Sequence, residues 1–344
     1  MNQDHVTSSL YGRAAFPKTR MRRSRQSAAI RDLVAESYVT PADIIAPLFI
    51  CAGQDKPQAI ASMPGQYRFT ADDLQREVES LLNLGIQNVL IFPKIAAELK
   101  TMDGSEGYRS DGLVPTILQQ LKSAFPELTV MVDVALDPYT SHGQDGILNA
   151  RGIIENDITL EALKKQSICY AEAGADVLGP SDMMDGRIQA IRSTLEARGL
   201  SDIILLSYAA KYASGFYGPF RDAVNSSKAL GKADKRTYQM DFRNSDEALH
   251  EVALDLAEGA DWVMVKPGLP YLDIIYRVKN TFKVPTLAYH VSGEFSMLHA
   301  AAEKGWLDLS QSMHESLISF KRAGANAIVT YFAKTFAEEF RSKN

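Results

Sequence analysis

Residues 257–267 read AEGADWVMVKP: the tail of a helix-forming run, a glycine, two small or polar residues, then an apolar stretch that ends on Lys266 before a proline. The same order recurs in NLGIQNVLIFP (83–93), EAGADVLGPS (172–181) and RAGANAIVTYF (322–332). Each glycine (Gly85, Gly174, Gly259 and Gly324) suits the position just past a helix, where a positive φ is cheap only without a Cβ. Each apolar run is short, rich in branched residues and bounded by turn signals. That describes a strand buried on both faces of a parallel sheet.

The helices ahead of these glycines are legible too. TADDLQREVESLL offers Thr70 as N-cap, Asp73 at N3, and Leu74, Val78, Leu81 and Leu82 on one face. NSDEALHEVALDLAEG offers Asn244 as N-cap and a stripe of Leu249, Val252, Ala253 and Leu256. Apolar runs at 44–50, 129–136, 203–210 and 286–292 complete the strand set, so eight βα units are expected. An α/β chain of this kind reads as a (β/α)8 barrel over residues 39–344 with an extended N-terminal arm over 1–38. A doubly wound open sheet is the alternative, but no G-x-G-x-x-G follows a strand.

At 46% hydrophobic and 23% charged residues, the 344-residue chain reads as globular. No apolar run approaches the roughly 18 residues a membrane span needs. A net charge of -5 gives no general attraction to nucleic acid. Cys51 and Cys169 are the two cysteines, too few for a disulfide framework or a zinc cage. This fits a reducing compartment, the cytoplasm or an organelle stroma. The arm is basic, with Arg13, Lys18, Arg20, Arg22, Arg23 and Arg25 and no acid between Gly12 and Arg31. Composition alone leaves three readings open: a nucleic-acid arm, a transit peptide, or a strap that grips a neighbouring subunit.

Seven residues past the four glycines lie Phe92, Ser181, Lys266 and Tyr331. In a barrel these share one height near the C-terminal strand ends, where such folds place their active sites. Lys211 ends the run at 203–210 in the same way, one strand before Lys266. An unperturbed lysine is about one part in 2,500 neutral at pH 7. Making it a nucleophile there takes roughly 4–5 kcal/mol of destabilisation of the ammonium. Burial and a second cation nearby supply it, and a neutral amine forms a Schiff base with a ketone.

MVKPGLPYLDI and SYAAKYASGFYGPFRDA, with DVALDPYTSHGQDG, GPSDMMDGR, TYQMDFRNSDEAL and AYHVSGE, resemble the porphobilinogen synthase (5-aminolevulinate dehydratase) family over nearly the whole chain. The resemblance implies a (β/α)8 enzyme that joins two 5-aminolevulinate molecules per active site into porphobilinogen, losing two waters, early in tetrapyrrole biosynthesis. It implies Schiff bases on Lys266, for the propionate-side substrate, and on Lys211, for the acetate side. It assigns Ser292 and Tyr331 to one substrate carboxylate, and Arg221 and Lys235 to the other. Gly215, Gly218 and the aromatic Phe216, Tyr217 and Phe220 suit a lid that excludes water.

Where zinc-dependent members carry three cysteines, this chain has Ala135, Asp137 and Asp145. Carboxylates prefer hard cations and alanine removes a ligand, so a catalytic zinc is not expected. The pattern looks like the aspartate-rich, magnesium-responsive branch, with Asp137 and Asp145 receiving the second substrate's amino group. His142 nearby reads as a loop residue. Glu251 matches the family's allosteric magnesium ligand, and one carboxylate with a water shell suits that ion. By the same resemblance the arm wraps a neighbouring barrel and dimers assemble into a homo-octamer. A class I aldolase generally needs one such lysine and a phosphate loop. A binding-only barrel would have no use for two.

Overall fold

The computed structural model describes residues 16–53, 56–224 and 234–343; Arg13 lies outside them. The chain divides into two compact units, Met1–Tyr38 and Val39–Asn344.

In the second unit the strands run β1 (Ile44–Cys51), β2 (Gln58–Ala59), β3 (Tyr67–Phe69), β4 (Asn88–Lys94), β5 (Thr129–Val134), β6 (Val177–Pro180), β7 (Ile204–Lys211), β8 (Trp262–Lys266), β9 (Thr286–His290) and β10 (Ala327–Thr330). β1 and β4 to β10 pair in parallel in sequence order, and β10 returns to β1 through Ile44–Ile328 and Ile45–Val329. The result is a closed eight-stranded (β/α)8 barrel, as expected from the repeat. β2 and β3 form a small antiparallel hairpin whose second strand lies against the upper end of β1.

The repeat has a local cause. At all four glycines φ is positive, from 84° to 107°. The glycine N–H then reaches back to a carbonyl of the last helical turn, and the next residue's N–H reaches the carbonyl one residue earlier. For Gly174 these bonds are 3.0 Å to Ala171 and 3.0 Å from Ala175 to Tyr170; Gly85, Gly259 and Gly324 repeat them. The polar residue that follows fastens the neighbouring strand. Asp176 accepts from Val130 N at 2.8 Å, Asp261 from Leu205 N at 2.8 Å, and Asn326 from Thr286 N at 3.0 Å. These three units thereby fix the height of their own strand and of the strand before it.

Several boundaries differ from the sequence reading. β5 stops at Val134, so Ala135 and Asp137 lie on the loop above the barrel. β9 stops at His290, and Ser292 opens a helix, Ser292–Glu303. The cause is Glu294, whose carboxylate accepts the Val291 N–H at 2.8 Å and the Leu269 N–H at 2.9 Å and so turns the chain. The helix after Asn244 begins at Asp246 with Ser245 as its cap, because the Asn244 side chain bonds Glu247 instead.

The arm unit carries a short helix, Ala28–Leu33, capped by Ser27, and none of its described residues is fully buried.

Candidate active site

Lys211 and Lys266 are register partners at the ends of the adjacent strands β7 and β8. Both are nearly buried, at 5% and 6% exposure, and both line a cavity of about 440 Å³ at the barrel mouth. Parallel pairing at one height is what brings two amines side by side.

Their surroundings differ. Lys266 Nζ has no hydrogen-bond partner among the described residues. It faces the rings of Tyr289 at 4.4 Å, Tyr208 at 5.1 Å, Phe220 at 5.2 Å, Tyr217 at 5.5 Å and Phe92 at 5.9 Å from their centroids. Ring faces give back part of what water gave the ammonium, but not all of it. Burial, reinforced by the Lys211 charge, pushes Lys266 down to about 7 against the pull of Asp133, Asp137 and Asp145. Lys211 is hydrogen-bonded instead: its Nζ donates to the Ser181 carbonyl and lies 3.5 Å from Asp145 Oδ1.

Asp133, near the end of β5, belongs to this centre although no motif marks it. It is buried, and its Oδ1 has no hydrogen-bond partner among the described residues. Burial raises its carboxyl to about 6, while Lys266 and then Lys211 pull the other way. It therefore titrates close to Lys266 and interacts with both amines. A motif search would have needed the barrel's closure to find it, since only the inward alternation of β5 marks the residue.

Lys235 and the two aspartates form one cluster. Lys235 Nζ lies 3.0 Å from Asp137 Oδ2 and 2.6 Å from Asp145 Oδ2. Burial alone would raise the Asp145 carboxyl, but Lys235 and Lys211 outweigh it and hold the group at about 2. Tyr238 and Gln144, neither singled out from sequence, complete the cluster: the Tyr238 hydroxyl is 2.7 Å from Asp145 Oδ2 and 2.6 Å from Gln144 Oε1. Lys235, expected to meet a substrate carboxylate, thus faces carboxylates of the protein itself. His142 bonds the Met102 carbonyl at 3.1 Å, a loop contact as read from sequence.

Arg221 lies on a short helix, Gly218–Ala223, that covers the cavity. It has no ion pair among the described residues, so its guanidinium enters the cavity side uncompensated. Ser292 and Tyr331 line the same wall. Ser292 Oγ accepts the Phe220 N–H at 2.9 Å, and the Tyr331 hydroxyl lies 3.0 Å from that of Tyr289. The preceding turn seats on Gly293 so closely that a Cβ there would lie 2.4 Å from the Phe216 carbonyl oxygen. This segment is closed over the cavity.

Glu251 stands apart, in a second cavity with Asp185, Asp241 and Glu247. Burial raises its carboxyl, the nearby Asp255, Asp185 and Glu247 add to that, and Arg187 opposes it. A hydrated hard cation would relieve that excess of acid, so the residues fit one. Among the described residues no group of three or more His, Cys, Asp or Glu is arranged to hold a metal ion directly.

Two adjacent buried amines, a buried carboxylate that interacts with both, and a guanidinium without an ion pair among the described residues suit carbonyl compounds that carry acid groups. The sequence profile of the delta-aminolevulinic acid dehydratase family matches residues 18–339. The chain belongs to the delta-aminolevulinic acid dehydratase family. It is 51% identical to the delta-aminolevulinic acid dehydratase of Bradyrhizobium diazoefficiens, over 96% of this chain and 95% of that one. It is 50% identical to that of Rhodobacter capsulatus, over 94% and 97%. The crystal structure of the Toxoplasma gondii delta-aminolevulinic acid dehydratase (porphobilinogen synthase), which holds the reaction product porphobilinogen, superposes with a TM-score of 0.92 at 49% identity, over 96% of this chain and 94% of that one. That relative shares this barrel over nearly its whole length.

Proposed function

We propose that this chain condenses two 5-aminolevulinate molecules into porphobilinogen with loss of two waters, an early step of tetrapyrrole biosynthesis, and that both substrates are carried as imines on Lys266 and Lys211. The observation that carries this reading is the register pairing of the two lysines over one cavity. Two ketones to be joined require two amines, and tethering makes their union effectively intramolecular. Lys266, the amine freed of its proton near neutral pH, attacks first. Lys211 is released for the second attack when an incoming substrate ammonium takes its place against Asp145. Asp133, within reach of both charges, accepts and returns the protons of each dehydration. Arg221, Ser292 and Tyr331 receive the substrate carboxylates, with Lys235 joining Arg221 once substrate amine engages Asp137 and Asp145.

A pH dependence follows from Lys266. Below about 7 its amine is mostly protonated and inert; above that it is mostly free. Trapping of the first imine by borohydride should therefore fall about tenfold per unit as pH drops below 7, and level off above it. An ordinary lysine would instead keep gaining through pH 9, and a profile of that kind would remove the assignment.

The finer reading places this chain in the magnesium-responsive branch. Magnesium at Glu251 would supply positive charge through its water shell to the wall behind Tyr238 and Gln239, which line that cavity. Colorimetric pyrrole assays in magnesium, zinc and chelator buffers are expected to show activation by magnesium alone; activation by zinc alone would overturn the branch assignment. The arm's exposed Phe16, Leu33 and Tyr38 support a strap that grips a second barrel and builds a homo-octamer. Sedimentation with and without chelator reads whether magnesium acts through that assembly. No helix among the described residues is long and apolar enough to cross a membrane. A cytoplasmic or stromal location is in keeping with relatives that include chloroplastic proteins such as that of Oryza sativa.

A further inference from the structure

The hairpin of β2 and β3, residues 58–69, is not part of the eightfold repeat and contributes no side chain to the cavity. Its polar residues nevertheless bond to three segments that carry expected carboxylate ligands, those of Arg221, Ser292 and Tyr331. Arg68 Nε donates to the Ala223 carbonyl at 2.5 Å, and Arg68 Nη2 donates to the Asp222 carbonyl at 2.8 Å. Those are the last two carbonyls of the covering helix Gly218–Ala223. Ser62 Oγ donates to Asp222 Oδ2 at 2.7 Å. The Ser62 carbonyl accepts from Ser296 Oγ at 2.7 Å, on the helix that Ser292 opens. Gln66 Nε2 donates to the main-chain oxygen of Tyr331 at 3.1 Å.

We propose that this hairpin is the latch of the active site, and that Arg68 is a positioning residue which sets Arg221 for a substrate carboxylate by gripping the end of the helix that carries it. A helix of six residues has little stability of its own, so its orientation is set by what holds its ends. The N-terminal side is held by the Phe220 N–H on Ser292 Oγ and by the turn seated on Gly293. Arg68 holds the other side, with a planar fork that spans two successive carbonyls. Arg68 sits opposite Phe49 on β1, so the grip is anchored directly in the barrel wall. The charged donor also meets the negative end of the helix, which favours the closed position over an open one.

The inference rests on the proposed condensation for its kinetic readout, and on nothing but the fold for its structural one. In Arg68→Met the apparent KM for 5-aminolevulinate is expected to rise about tenfold, the loss typical of charge-assisted bonds, while borohydride trapping at Lys266 under saturating substrate stays within about twofold. Chymotryptic cleavage after Phe216, Tyr217 and Phe220 should accelerate by a similar factor, with melting temperature little changed. Arg68→Lys, which reaches one carbonyl at a time, should recover part of both, and also serves if the methionine variant does not fold. An unchanged KM together with unchanged cleavage overturns the latch. So does a parallel fall of kcat, trapping and melting temperature in both variants, which marks a merely structural arginine. If the unsubstituted chain forms neither pyrrole nor a borohydride adduct, the condensation reading fails, and the cleavage experiment still decides the latch.

Discussion

Lys266→Met is expected to abolish pyrrole formation and to abolish borohydride-trapped substrate at that position. In the proposed mechanism the first bond to substrate is made by Lys266, a cavity amine that is both desolvated and free of a hydrogen-bond partner among the described residues. Without it the two ketones must meet as free molecules. Well-oriented tethering supplies about 7–11 kcal/mol of such a barrier, so a fall of at least about 10⁴-fold is expected. Folding should survive. Methionine has nearly the length of lysine, and the surrounding rings of Tyr208, Tyr217, Phe220 and Tyr289 accept a thioether readily. Removing a buried amine also removes a desolvation cost, so the melting temperature should hold or rise. Retention of a tenth of the activity in a folded variant would end the Schiff-base reading.

Lys211→Met is expected to stop pyrrole formation just as completely, but with a different residue of function. One substrate should still be trapped per chain, on Lys266, because β8 and its aromatic surround are untouched. The pH profile of that trapping should move. The Lys211 charge is the second cause of the low Lys266 value, after burial. Deleting it stabilises the Lys266 ammonium, so the half-point of trapping should shift above 7. A downward shift, or two substrates trapped on the variant, would contradict the electrostatic account. The same substitution leaves Asp145 with Lys235 as its remaining cationic contact, so its carboxyl should rise from about 2.

These expectations divide into those legible in the chain and those that needed the fold. The glycines of the repeat and both lysines were legible, because each depends on residues within one βα unit. Tyr331, Ser292 and Arg221 were placed by resemblance, and the structure sets all three on the cavity wall. Lys235 was placed there too, but its ion pairs with Asp137 and Asp145 were not foreseen. Asp133 was passed over because an aspartate within a strand-like run looks no different from one facing solvent at a strand end. Arg68 and Ser62 were passed over because nothing in a short polar hairpin announces what it will grip.

The sequence by itself determined the order of the βα units, the height of each strand end, and so the identity of the amines at the barrel mouth. Backbone geometry at a glycine and the apolar period of a strand are local properties, set within about ten residues. The tertiary structure alone decided which amine is desolvated without a hydrogen-bond partner among the described residues and what steadies the groups around it. Lys211 meets Asp145 across 66 positions, Lys235 meets Asp137 across 98, and Arg68 meets Ala223 across 155. Desolvation and charge pairing are sums over everything nearby, and closing the barrel is what decides what is near.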